Sequence, residues 1–209
     1  MFCGSCNIIT KIDDNRQRIA NDKHKYIIAM WKELQKGWIP PKNITREDYI
    51  NIKNNKDIKP QLAGFVGFGS SFGGKWFGGY VEYRGKNYEY CLSAYNSVLR
   101  KLKHLGDVIF YNLDYKDVSI PNGSLVYCDI PYRNTTGYCK EEVGAFNHND
   151  FYQWVKDNSD KYDIYISEYK HNVPSEFEIV WELESKQSLR NYENKKSKTT
   201  EVIIKYKKE

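Results

Sequence analysis

Short apolar runs alternate with amphipathic helical stretches along this chain, and that alternation limits the folds open to it. Residues 18–22, 108–112, 124–128 and 162–167 read as strands. Between the first two, Tyr26, Ile27, Met30, Trp31 and Leu34 fall on one helical face, and Gly37 is placed to stop the helix. A second helix is expected over about 87–105, with Tyr88, Cys91, Leu92, Tyr95, Leu99 and Leu102 as its apolar stripe and Gly106 at its end. Residues 149–158 read as a third. Two further strands, 177–183 and 201–206, suit an antiparallel pair across the basic stretch 186–198. The pattern predicts an α/β domain: a doubly wound, mostly parallel sheet with helices on both faces and a terminal antiparallel strand.

Residues 38–60 interrupt this order. They are polar, contain Pro40-Pro41, and read as loop with one short helix near 45–54. Residues 64–79 then hold seven of the 14 glycines, alternating with Phe65, Phe68, Phe72, Trp76 and Phe77. So much glycine disfavours regular structure, so a loop or hairpin is expected. The reading is a catalytic domain made of residues 1–37 and 86–209, with 38–85 inserted into it.

Composition excludes more than it selects. The formal net charge of +5 is mild and speaks to solubility before it speaks to nucleic acid. The 18 tyrosines and 5 tryptophans suit base stacking, and suit an α/β core equally. Five cysteines, an odd count with no basic-then-apolar leader, argue against a disulfide framework and for a cytoplasmic protein. Cys3-Gly4-Ser5-Cys6 has the spacing of half a zinc site, but no second pair completes it, and no metal is expected. No apolar run is long enough to span a bilayer. Gly67-Phe68-Gly69 lacks the Gly-Lys-Ser/Thr ending of a phosphate loop, which removes nucleotide hydrolysis. Ser167 has no histidine in a partner motif and is no nucleophile candidate.

In open sheets of this kind, ligands bind beyond the carboxyl ends of the strands. Asp22 and Asp129 each follow a strand directly, and Asp114 follows a third within a few residues. Asp129-Ile130-Pro131-Tyr132 gives that position a definite chemistry. A carboxylate and a backbone carbonyl can accept the two hydrogens of an exocyclic amine, proline helps fix the turn, and the aromatic ring can stack on the base that carries the amine. Judged alone, Asp129 could simply end a strand, Asp114 could be a turn residue, Asp22 could cap a helix, and Trp76 could be core.

Asp129-Ile130-Pro131-Tyr132 resembles the Asp-Pro-Pro-Tyr motif of the amino-group DNA methyltransferases. The stretch from Val126 to Tyr138, the segments Gly64 to Tyr80 and Arg18 to Tyr26, and Ile166-Ser167-Glu168-Tyr169 are together similar, in order and over essentially the whole chain, to the DNA adenine methylase family. The resemblance implies a Rossmann-like fold of the S-adenosylmethionine methyltransferase type, with S-adenosylmethionine as cofactor and duplex DNA as partner. It implies that Phe2, Cys3 and Gly4 belong to the glycine-rich cofactor loop, that Asp22 binds the cofactor ribose, and that Asp114 and Tyr115 lie near its adenine. Asp129, Ile130, Pro131 and Tyr132 would form the catalytic loop, and Lys75, Trp76, Phe77 and Arg133 would contact DNA. Cys6 stands where the loop often has a second glycine, and Ile130 replaces a proline. The strand that precedes the cofactor loop in the family has no counterpart before Phe2, so the chain reads as truncated at its N-terminus. A catalytically silent DNA- or partner-binding protein is the second expectation.

Overall fold

The structure, a computed structural model, describes residues 1–12, 15–81, 90–133, 140–186 and 198–208. In chain order its elements are β1 (Ile19–Asn21), α1 (Lys25–Gln35), α2 (Arg46–Asn54), α3 (Pro60–Gly69), α4 (Tyr90–Leu102), β2 (Ile109–Tyr111), β3 (Leu125–Asp129), α5 (Lys140–Val143), α6 (His148–Asn158), β4 (Asp163–Tyr169), β5 (Phe177–Lys186) and β6 (Lys198–Tyr206). They divide into two compact units. The N-terminal unit comprises Cys3–Val118 with Glu141–Val143; the C-terminal unit comprises Met1–Phe2, Ser119–Lys140 and Gly144–Glu209.

The N-terminal unit is mainly helical. His24 caps α1, its ring nitrogen accepting the Ile27 amide. The helix then buries Tyr26, Ile27, Ile28, Met30, Trp31 and Leu34 on one side. Each such side chain contributes about 1.5–3 kcal/mol relative to leaving it in water, so this face is a substantial part of the unit's core. Trp31 stacks over Phe110 of β2. A capping box formed by Thr45 and Asp48 starts α2. The parallel pair β1–β2 aligns Ile19 with Ile109 and Asn21 with Tyr111.

The glycine-rich segment departs from expectation, because its first part is the helix α3. Gly64 lies against α1 so closely that a Cβ there would stand 2.1 Å from the Tyr26 carbonyl oxygen. One turn on, a Cβ at Gly67 would meet the Trp76 ring at 2.3 Å. The glycines form a notch in the helix surface. Close packing of Phe65 and Val66, both buried, offsets the conformational cost of helical glycine. Only the part beyond Gly69 turns back, with Ser71 bridged to Tyr80. In the second expected helix, α4 begins at Tyr90, and residues 87–89 lie outside the described residues.

In the C-terminal unit a four-stranded sheet has the order β3-β4-β6-β5. β3 and β4 are parallel, from Leu125 opposite Asp163 to Asp129 opposite Ser167. β6 runs antiparallel to both β4 and β5. Val126, Cys128, Ile164, Ile166, Val202 and Ile204 are buried, as are Phe151 and Val155 of α6. In β5 the register shifts between Ile179, opposite Ile204, and Trp181, opposite Ile203, so Val180 is an extra residue.

The doubly wound, mostly parallel, Rossmann-like sheet expected from the sequence is therefore not the architecture formed. Its strands fall into two sheets: a two-stranded parallel one, and a mixed one with a single parallel pairing. Apolar runs report that a strand is buried and not which strand it pairs with. The terminal hairpin supplies half the larger sheet and places β6 beside β4.

Candidate active site

The carboxyl end of the β3–β4 pair carries the motif singled out in the sequence. Asp129 ends β3, and its Oδ1 accepts the Ser167 hydroxyl at 2.8 Å. Asp129 is exposed as a residue, yet the protein around its carboxyl removes enough water to raise its pKa above the ordinary carboxylate value. The bond from Ser167 opposes that rise. Ile130 is buried beneath the turn, and the Pro131 carbonyl accepts the His148 Nε2–H at 2.7 Å. The half-buried Tyr132 meets Tyr169 edge to face, with ring centroids 4.6 Å apart. Burial raises its phenol pKa, and a hydrogen bond with Ser167 again opposes the shift. Ser167 thus joins Asp129 and Tyr132, a role the sequence did not signal. Cys128, one residue before the motif, is buried with its thiol pushed up to about 11. A thiol so far from ionisation is a packing group, not a nucleophile.

Glu168 is the second residue missed. It is fully buried in β4 and takes three hydrogen bonds. The Arg133 amide donates to Oε2 at 3.3 Å, while the Tyr169 amide and Asn172 Nδ2 donate to Oε1 at 2.7 and 3.1 Å. Asn172 Nδ2 also donates to the Arg133 carbonyl at 3.3 Å. The backbone just past Tyr132 is therefore tied to β4 through one buried carboxylate. An acid just beyond the apolar run at residues 164–166 of the strand was the available signal, since a buried acid persists only where donors surround it. Arg133 donates Nη2–H to Asn149 Oδ1 at 3.0 Å and sets its guanidinium over the Tyr152 ring. Phe2 belongs to this unit, with its ring edge-on to Phe146 and Phe151.

In the N-terminal unit the carboxyl ends of β1 and β2 gather Gly4, Asp22 and Asp114. The Gly4 amide donates to Asp22 Oδ2 at 2.8 Å and the His24 amide to Oδ1 at 2.9 Å. Burial raises the Asp22 pKa against these two bonds. The Cys3 amide reaches the Asn21 carbonyl at 2.8 Å, and Trp31 Nε1 donates to the Gly4 carbonyl at 2.9 Å, which fixes the loop. A Cβ on Gly4 would meet nothing within 4 Å, so the loop has open space beside it. Asp114 pairs with Lys23 at 3.0 Å and caps the turn holding the buried Tyr115. Asp22 acts through its carboxylate on both the Gly4 loop and the entry to α1, and each oxygen keeps acceptor capacity for a ligand.

The four residues expected at DNA separate by exposure. Lys75 is exposed and Trp76 is half-buried, stacked on Tyr26 and edge-on to His24. Phe77 is buried in the core against Tyr49, so its ring offers no face to DNA, which corrects that expectation. Arg133 lies at the edge of a cleft in the C-terminal unit.

Among the described residues, no three His, Cys, Asp or Glu side chains converge on a point that would hold a metal ion. No helix there is long and apolar enough to cross a membrane. No protein-family model matches the chain, and no curated protein matches it.

Proposed function

We propose that this chain transfers a methyl group from S-adenosylmethionine to the exocyclic amine of adenine in duplex DNA. One observation carries the reading: Asp129, held by Ser167 at the carboxyl end of a parallel strand pair, opens a turn that continues through Pro131 to an aromatic ring. The adenine amine is a weak nucleophile because its lone pair is shared with the ring. In a base turned out of the duplex, the Asp129 carboxylate and the Ile130 carbonyl each accept one amine hydrogen, which draws the lone pair back onto nitrogen. Tyr132 stacks on the base, an interaction worth about 1–3 kcal/mol in comparable sites. As the nitrogen takes the methyl group, whose bond to the cofactor sulfur would break to leave a neutral thioether, the amine would lose a proton along the bond already made to Asp129.

Bound S-adenosylmethionine supplies an electrophilic methyl group on a positively charged sulfur. Gly4, Asp22, Asp114 and Tyr115 are the residues that would hold it. A carboxylate at a strand end suits ribose hydroxyls, and open space beside Gly4 suits a ligand close to the backbone. Lys75, Trp76 and Arg133 would contact DNA.

The test is transfer of labelled methyl groups to duplex DNA by the wild-type chain and by Asp129→Ala. Loss of an acceptor used in the transition state lowers the rate by about 100-fold or more. A fully active Asp129→Ala protein overturns the role. A wild-type chain that binds DNA and transfers nothing points instead to the catalytically silent form.

A further inference from the structure

A cleft of about 630 Å3 opens in the C-terminal unit beyond the ends of β3 and β4, against α6. Arg133, Tyr152, Lys156 and His171 are in its wall. Its size admits a nucleotide-sized group.

The charges in this wall are not equivalent. Lys156 is answered by Glu176 at 2.7 Å, and that pair holds the Glu176 carboxyl down at about 2, so one end of the cleft is already neutralised. Glu168, the other carboxylate nearby, receives the Arg133 backbone amide and not its guanidinium. Among the described residues no carboxylate lies within ion-pair distance of the Arg133 side chain, whose one hydrogen bond goes to the neutral Asn149. Its Nε is buried without a hydrogen-bond partner, and so is the hydroxyl of Tyr152, the ring beneath it. Tyr152 is 5% exposed. Two buried donors without an acceptor thus belong to residues that line one cleft. Buried donors in folded proteins are rarely left so, and a planar guanidinium beside a phenol suits a tetrahedral oxyanion.

The cleft also adjoins the base-holding turn. Arg133 directly follows Tyr132 in sequence. Tyr169 meets Tyr132 on one side and stacks on His171 on the other, at 5.7 Å and 12°. An aromatic path therefore leads from the turn to the cleft wall.

We propose that this cleft holds a phosphate of the DNA strand that carries the target base, gripped by Arg133 and the Tyr152 hydroxyl. The proposal rests on the reading of Tyr132 as the base-stacking residue. It makes Arg133 the point where the strand is anchored beside the base.

Binding of a fluorescently labelled DNA duplex, followed by anisotropy across a range of salt concentrations, tests it. Arg133→Met should weaken binding about tenfold and lower the salt slope by about one, as expected for loss of one phosphate contact. Arg133→Lys should keep the slope, and Tyr152→Phe, which removes only the hydroxyl, should weaken binding by a smaller factor. Neutral methylphosphonate linkages placed one at a time should reveal one position that weakens the wild-type chain and not Arg133→Met. Wild-type affinity and slope in Arg133→Met overturn the proposal, as does a wild-type chain that does not bind the duplex. Inorganic phosphate or adenosine monophosphate binding at Arg133, with DNA affinity indifferent to the substitution, assigns the cleft to a free phosphate and also overturns it. Methyl transfer separates the two readings. Arg133-dependent DNA affinity without any transfer keeps the cleft and removes the methyltransferase; transfer with Arg133-independent affinity does the reverse.

Discussion

Ser167 donates its hydroxyl to the Asp129 carboxylate at 2.8 Å from the position directly opposite it in the parallel β3–β4 ladder. Strand pairing alone therefore sets the orientation of the one carboxylate in the Asp129–Tyr132 turn. The same hydroxyl engages the Tyr132 phenol, so the two functional side chains share a single fixed point.

Removing that point should change how activity depends on pH. Asp129 can take up the amine proton only when ionised, and burial already raises its pKa. Ser167 opposes the rise, so Ser167→Ala should raise the pKa further. The ionised fraction then falls at a higher pH as the solution is made acidic, and the acidic limb of the kcat profile moves toward neutrality. Profiles of methyl transfer by the two proteins check this, and coincident acidic limbs would remove Ser167 from the site.

Helix packing gives a second prediction. Alanine is the better helix former by about 1 kcal/mol, so propensity alone favours Gly64→Ala. The new Cβ would lie 2.1 Å from the Tyr26 carbonyl oxygen and 3.2 Å from the Met30 Cβ. Backbone atoms cannot rotate aside, so α3 must back away from α1. Overpacking of this kind costs about 1–3 kcal/mol or more, and the net result should be destabilisation. Urea unfolding of the two proteins measures it; equal or greater stability of the alanine form would mean that α1 and α3 do not approach so closely.

His24 should make stability sensitive to mild acid. Burial lowers its pKa from 6.5 to about 4, and its Nε2 has no hydrogen-bond partner. The unfolded chain takes up a proton below about pH 6.5, while the folded chain resists until about 4. The stability associated with neutral His24 is thus present above about 6.5 and lost as pH falls toward 4, up to roughly 3 kcal/mol. His24→Asn keeps a capping acceptor and removes the titration. Its unfolding free energy should fall less between these two pH values than that of the wild-type chain. Parallel curves would show that His24 is protonated in the folded state as readily as in the unfolded one.

The readable parts of this molecule were local ones. The spacing of Tyr26, Ile27, Met30, Trp31 and Leu34 specifies α1 because a helix of that period buries them together. The apolar run before Asp129 marks β3 and places the acid at its end. The helix at Pro60–Gly69 was hidden, because glycine content reports backbone entropy and not the neighbouring helix that makes glycine necessary. Sheet order was hidden too, since pairing β4 with β6 depends on residues far apart in the chain. The roles of Ser167 and Glu168 escaped because each depends on a partner far along the chain. Ser167 matters through a partner chosen by strand register, and Glu168 through the distant Arg133 amide, and neither pairing is present in the local pattern.

The extra residue at Val180 decides which way the outer half of β5 looks. Cross-strand partners point to the same side of a sheet, so Ile179 points with Ile204, whereas Trp181 points with Ile203 to the opposite side. Leu183 follows Trp181 there, and both stand half open to solvent. Were the strand to alternate strictly through Val180, the indole and the leucine would swing around together to join Ile204, and Glu182 would turn out in their stead. The hairpin's greasy side is thus set by one residue left out of the ladder, and owes nothing to which hydrophobic side chains it carries.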